Sequence, residues 1–355
     1  MLLCSSDGDD VLWCSRRILN WRMNFTSLKF GVVAVVLAGA AFAQTTLHTT
    51  TTLVVVPTLV QTTDNALVFS LKADDFVLTD DGVPQKVTLE DESTRPLSLV
   101  VLMQTGGAAR GQFSSYANLS TMIESILGPA PNKVSIVNFD SRPEAASPFS
   151  SDVAQWKDAI DHPDAGNSGA AIFDGLEYAI GLLKQEPANT RRAILLISQE
   201  HDDGSQAKVK DVVRDLGETN TAVYSMTFSA EKTTLREEFK HSSHAHPPIT
   251  INPAAGSFHG YFDLSVPLQL AIGSMHKNMS AEIAALSGGE TSSFDNAVEL
   301  GDDLNVLNNH IRNRYILSFY PTSQTVGLHT ITVRLPQHPG LLVSARGNYW
   351  LESQP

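Results

Sequence analysis

Several groups of residues in this chain are of a type and spacing that could do chemistry. His241-Ser-Ser-His244-Ala-His246, followed by His259 and His276, gathers imidazoles of the kind that bind zinc. A closed zinc site takes a fixed set of four ligands, however, and no Cys or H-E-x-x-H pattern accompanies these histidines, which read instead as solvated side chains of a polar loop. Asp74-Asp75 and Asp80-Asp81 offer carboxylates to calcium, but Asp80-Asp81-Gly82 is equally turn chemistry, and the turn is the expectation. Gly106 and Gly111 have the glycine spacing of a phosphate loop. The next residues are Gln112-Phe113 rather than Lys and a hydroxyl, and Gly106-Gly107 are adjacent, so no nucleotide is expected. Gly166-Asn167-Ser168-Gly169 lacks the G-x-S-x-G spacing of a nucleophile elbow. With no acid–base pair singled out, the expectation is a protein that is not an enzyme and carries no cofactor. The remaining candidate is Gln104-Thr105-Gly106-Gly107-Ala108, a small, flexible series directly after the apolar run Leu97–Met103. In open α/β sheets, ligands sit outside the carboxyl ends of strands, which is where this loop falls.

The elements that must position these residues follow from pattern. Leu97–Met103, Lys133–Phe139 and Arg192–Ser198 read as buried strands, with a further strand at Thr221–Thr227. Between them, helices are predicted over Phe113–Leu127, Ser151–Ile160, Ala170–Leu183 and Gln206–Leu216, and beyond them over Met279–Leu286 and Asp295–Arg312. A short strand near Glu144–Ala146 is expected beside the second strand. This alternation predicts a mostly parallel sheet with helices on both faces. Residues 53–96 read as a small β module, with a strand at Leu53–Thr62 placed at an edge by Pro57. The module continues with an extended Leu67–Leu71 and a hairpin tipped by Asp81-Gly82 that returns over Gln85–Glu90. The tail 314–355 is again β and is expected to pack with that module. Residues 230–277 interrupt the rhythm of the 97–313 domain as a long His- and Pro-rich insertion.

Composition narrows the partners. Apolar content of 42% and charged content of 18% are ordinary for a globular chain, while a net charge of −13 without a Lys/Arg run argues against nucleic acid. Residues 1–43 predict an upstream extension and a secretory signal peptide. Met23 is the expected start, Lys29 the basic flank and Phe30–Ala40 the apolar core, with cleavage after Ala43. A Thr-rich leader, 44–52, follows. Both cysteines, Cys4 and Cys14, would be removed, leaving no thiol chemistry. The expected location is outside the cytoplasm: periplasm, outer envelope or extracellular.

Here a resemblance becomes specific. The Leu97–Met103 strand with its loop, Val134–Asp140, Gly169–Leu176 and Ala193–Gln199 are similar to the corresponding stretches of a von Willebrand factor type A domain. Asp74–Leu78, Asp81–Lys86, Leu286–Glu290 and Arg312–Tyr320 resemble the VWFA-related proteins of Acidobacteria. The resemblance implies an α/β von Willebrand A-type (Rossmann-like) fold flanked by a small β module from both ends of the chain. In that family a divalent cation is held by D-x-S-x-S, a Thr from a second loop and an Asp after a third strand. On the matching positions Gln104 replaces the Asp, Gly106 and Ala108 replace the two Ser, Ala170 the Thr and Gln199 the last Asp. Only Thr105 keeps a hydroxyl nearby, and Asp202-Asp203-Gly204 reads as a turn and helix start. The implied site is therefore a degenerate one that holds no metal. Its loops, with Gln104, Thr105, Gly106, Ala108, Ala170 and Gln199, become the candidate surface for an unidentified protein partner. The alternatives are cation-dependent adhesion through unusual ligands, and a hydrolase with its site in the 230–277 insertion.

Overall fold

The structure, a computed structural model, describes residues 53–90, 95–128, 131–233 and 278–352. The expected signal peptide, the Thr-rich leader and the histidines from His241 to His276 lie outside the described residues. All described residues belong to one unit, Thr51–Pro355. No helix among them is long and apolar enough to cross a membrane.

Along the chain come β1 (Val54–Gln61), β2 (Val77–Asp80), β3 (Val83–Gln85) and β4 (Thr88–Glu90), then β5 (Leu97–Gln104), α1 (Leu119–Leu127), β6 (Lys133–Phe139) and β7 (Pro143–Ser150). They are followed by α2 (Lys157–Asp161), α3 (Ile172–Lys184), β8 (Arg191–Gln199), α4 (Val209–Thr219) and β9 (Thr221–Phe228). The last stretch holds α5 (Met279–Ser287), β10 (Thr291–Ser293), α6 (Ala297–Arg312), β11 (Tyr315–Phe319), β12 (Gly327–Arg334), β13 (Leu342–Ala345) and β14 (Asn348–Leu351).

The central sheet has the order β10-β9-β8-β5-β6-β7 and is parallel except for β7. β5 lies between β8 and β6, and all eight of its residues are buried. Its side chains alternate between two cores, as the period of a strand dictates. Leu99, Val101 and Met103 pack with Tyr116, Ile123 of α1 and Leu304 of α6 on one face. Val100 and Leu102 pack with Leu176 of α3, Val213 of α4 and Ile283 of α5 on the other. An uninterrupted apolar run is what such double-sided burial requires.

Two antiparallel sheets flank this domain, β13-β1-β11-β4 and β14-β12-β2-β3. Each mixes strands from before and after the central domain, and together they enclose a third core that includes Val56, Leu78, Leu317, Phe319, Ile331 and Tyr349. The β2–β3 turn has positive φ at both Asp81 and Gly82, as the primed hairpin turns demand.

Local expectations are corrected at several points. β1 is an interior strand rather than an edge; Pro57 is tolerated because β13 pairs only with Thr58–Gln61, leaving Pro57 with β11 as its one neighbour. The return strand over 85–90 divides, since Val83–Gln85 pairs with β2 whereas Thr88–Glu90 crosses to β11. Leu67–Leu71 forms only a single bridge, Leu67 to Gln61. The helix over 113–127 is a 3-10 run, Gly107–Tyr116, followed by α1, because Asn118 takes a left-handed φ of 69° that interrupts the ladder. α4 begins at Val209 rather than Gln206, because Asp174 Oδ1 accepts the N–H groups of Gln206 and Ala207 and holds them outside the helix.

Candidate functional site

The parallel register sets the carboxyl ends of β5, β6 and β8 side by side, with Gln104 opposite Phe139 and Met103 opposite Ile197. Gln104 is fully buried, so its amide must find partners inside. Its Nε2 donates to Gln199 Oε1 at 3.0 Å and to Gly106 O at 3.1 Å, and its Oε1 accepts the Gln199 N–H at 2.7 Å. Gln199 Nε2 in turn donates to His201 O at 2.8 Å. Two neutral amides thus lock one strand end to the other and turn the β8 loop back on itself.

Thr105 is buried, and both its N–H and its hydroxyl donate to Phe139 O, at 2.8 and 3.3 Å. Gly106 lies where a side chain cannot fit: a Cβ there would stand 2.3 Å from Gly169 O and 2.7 Å from Asn167 O. Its neighbour Gly107 donates to Asn167 O at 2.8 Å, so the loop after β5 is closed down on the 166–169 segment. Gly169 is equally tight, with a Cβ position 2.8 Å from the Ser141 backbone. Ala108 is half-buried against the core below. Ala170 is buried and exchanges backbone hydrogen bonds with Asp203, at 3.1 and 2.9 Å.

Asp140, directly after β6, organises this arrangement. Its Oδ2 accepts the Asn167 N–H at 2.9 Å and its Oδ1 the Arg142 N–H at 3.0 Å. Asn167 Oδ1 receives the N–H groups of Ser141 and Gly169, at 3.2 and 2.8 Å. Partial burial would raise the Asp140 carboxyl, but the backbone N–H groups of Asn167, Arg142 and Ser141 outweigh it and hold the group below the usual range. Asp202 is consumed likewise, accepting the Phe173 N–H at 3.2 Å and the Ser205 hydroxyl at 2.5 Å; it holds the first turn of α3, whereas the helix that follows it in sequence starts only at Val209.

The residues at the positions that the resemblance assigns to a cation are engaged with one another and with backbone. Gln104 and Gln199 spend their amides on one another, and a serine at position 106 would have no room. The carboxylate that comes near, Asp140, has both oxygens satisfied by backbone donors. The structure places Gln104, Thr105, Gly106 and Ala170 inside, with Ala108 and Gln199 partly accessible. What faces solvent around them is Arg110, Ser141, Arg142, Asn167, His201 and Asp203. Sequence reading missed Asp140 and Asn167; the one signal was that a carboxylate and a turn-forming amide each sit in a stretch bounding a strand end.

Residues 100–205 match the von Willebrand factor type A domain. A search of curated proteins found no match. Among solved structures, a von Willebrand factor type A protein from Catenulispora acidiphila is 10% identical, with 84% of this chain and 62% of that one covered and a TM-score of 0.42. The PilB minor pilin from Streptococcus sanguinis is 12% identical, with 62% of each chain covered and a TM-score of 0.39. An aerotolerance-related membrane protein from Bacteroides fragilis is 15% identical, with 60% of this chain and 98% of that one covered and a TM-score of 0.35. The match assigns a von Willebrand factor type A domain to residues 100–205, the stretch that runs from β5 to the loop after β8.

Proposed function

We propose that this protein is an exported, non-enzymatic protein–protein interaction module that recognises its partner without a metal ion. The observation that carries this reading is the Gln104–Gln199 amide pair, which occupies the converging strand ends with neutral, mutually satisfied groups. Von Willebrand A domains are generally interaction modules, and here the loops at the carboxyl edge are pinned together by Asp140 and Asn167 into a preformed surface. Rigid presentation lowers the ordering cost of association. The exposed rim of Arg110, Arg142, Asn167, His201 and Asp203 offers charged and polar contacts of both signs. Buried Gln104, Thr105, Gly106 and Ala170 shape that surface without touching the partner.

Crosslinking with mass spectrometry in the native organism tests this reading. Crosslinks concentrated on the 104–110, 140–142, 166–170 and 199–204 loops, undiminished by EDTA and weakened by Arg142→Glu, are expected. Release of the partner by EDTA would favour cation-dependent adhesion instead. A hydrolytic activity abolished by deleting 230–277 would remove the non-enzymatic reading. For the export part, the secreted protein should begin at Gln44 on N-terminal sequencing.

A further inference from the structure

Away from the strand-end loops, the flanking sheets bring together three side chains from opposite ends of the chain. Asp80 ends β2 and Asp81 begins the turn to β3; His329 lies on β12, which pairs with β2 through Ile331 opposite Asp80. His329 Nδ1 stands 3.1 Å from Asp80 Oδ1 and 2.9 Å from Asp81 Oδ2. One ligand atom from each residue lies within 4.8 Å of the other two. Asp80 and His329 are each only 2% exposed, while Asp81 reaches solvent.

What distinguishes this cluster from ordinary turn carboxylates is the way its outer atoms are held. His329 Nε2 lies 2.7 Å from Thr325 O; a carbonyl only accepts, so Nε2 carries the hydrogen and Nδ1 is the nitrogen aimed inward. Asp80 Oδ2 accepts the Tyr349 hydroxyl at 2.8 Å, leaving Oδ1 inward. Asp81 Oδ1 accepts the Thr330 N–H at 2.9 Å, leaving Oδ2 inward. The Tyr349 ring stacks on the imidazole with centroids 4.9 Å apart, fixing its plane. Each residue therefore spends its far atom on a partner outside the cluster and turns its near atom to a common point. Metal-ligating histidines and carboxylates are oriented by outer partners in this manner.

The cation that faces both carboxylates in the structure is the His329 imidazole itself, when protonated. Among the described residues, no Lys or Arg lies within ion-pair distance of Asp80 or Asp81. A divalent cation would balance two carboxylates and a neutral imidazole. One imidazole nitrogen with two carboxylate oxygens suits zinc-like ions, whereas calcium and magnesium require all-oxygen shells of higher coordination. The edge of a tetrahedral zinc shell is about 3.3 Å; the two separations from His329 Nδ1, 3.1 and 2.9 Å, would open by a few tenths of an ångström, and the two carboxylate oxygens lie within 4.8 Å of one another.

We infer that Asp80 Oδ1, Asp81 Oδ2 and His329 Nδ1 form a three-ligand site for a transition-series divalent cation, zinc foremost, with its fourth position open to solvent beside Asp81. The ion would clamp the β2–β3 turn to β12 and, through Tyr349, to β14. This site is independent of the strand-end loops and of the function proposed for them.

The test is calorimetric titration of the chelator-stripped full chain with Zn²⁺, repeated on Asp81→Asn and on the His241→Ala/His244→Ala/His246→Ala variant. Asp81→Asn keeps an Oδ1 acceptor for Thr330 and a residue that tolerates positive φ, so the fold, checked by circular dichroism, should persist. The expected result is one zinc equivalent whose affinity falls at least about tenfold in Asp81→Asn and is unchanged in the triple variant. Co²⁺ should give a visible d–d band that Asp81→Asn abolishes. The inference is overturned if the stripped chain takes up no zinc, which would leave a hydrogen-bonded imidazole between carboxylates. Zinc binding that survives Asp81→Asn and disappears in the triple variant would also overturn it.

Discussion

Gly106 illustrates how a single position can settle the chemistry of a loop. A side chain there would meet Gly169 O at 2.3 Å and the Asp140 Cβ at 2.7 Å, and those neighbours are themselves fixed by hydrogen bonds. Backbone cannot yield as the tip of a flexible side chain can. Gly106→Ser, which would restore one hydroxyl of the family's metal motif, is therefore expected to lose about 3 kcal/mol or more of stability in urea unfolding, and to gain no Mg²⁺ binding. Residues 104, 106 and 199 were singled out in the sequence because the resemblance sets each at a motif position. That Gln104 and Gln199 satisfy one another was not, since their 95-residue separation is closed only by the parallel pairing of β5 with β8.

At the scale of elements, apolar periodicity located every α-helix among the described residues of the central domain but misplaced several ends. Hydrophobic spacing reports which face is buried and says little about where the hydrogen-bond ladder begins. The break at Asn118 was invisible, because Tyr116, Leu119 and Ile123 all reach the same core whether or not one helix carries them. The start of α6 was displaced from Asp295 to Ala297 by a cap: Asn296 Oδ1 accepts the N–H groups of Val298 and Glu299, at 3.0 and 3.1 Å. Asn296→Ala should cost about 1 kcal/mol, read as a small fall in melting temperature with helix content otherwise retained.

For the molecule as a whole, the joint between the flanking sheets and the central domain is built from buried charge. Arg346 of the C-terminal segment, 4% exposed, donates to Gly217 O at the end of α4 at 2.7 Å, and burial lowers its guanidinium to about 10. Arg314 donates to Gly288 O at 2.6 Å and pairs with Glu290, which also meets His310. Burial alone would raise the Glu290 carboxyl, but Arg314 and His310 hold it below its ordinary 4.5. A carboxyl depressed in the folded state contributes stability above its unfolded pKa, and that contribution is lost as pH falls through the folded value. Melting temperature should therefore drop as pH is lowered from about 5 toward 3. Glu290→Gln should melt lower at neutral pH, because Arg314 loses its charged partner, and should show a shallower acid slope. A variant whose acid slope matches that of the unaltered protein would remove Glu290 from this account.

By itself the sequence determined the class of fold and the position of the loop after Leu97–Gln104, because burial on both faces of a strand and small residues at its end are local properties of the chain. It also showed no carboxylate at the positions that the resemblance assigns to a metal, which is a matter of residue type alone. Only the tertiary structure decided that the loop is closed by Asp140 and Asn167 and that its candidate residues are largely buried beneath an exposed polar rim. It likewise brought His329 against Asp80, 249 positions away. Such contacts depend on strand order and register across the whole chain, and no local periodicity encodes them.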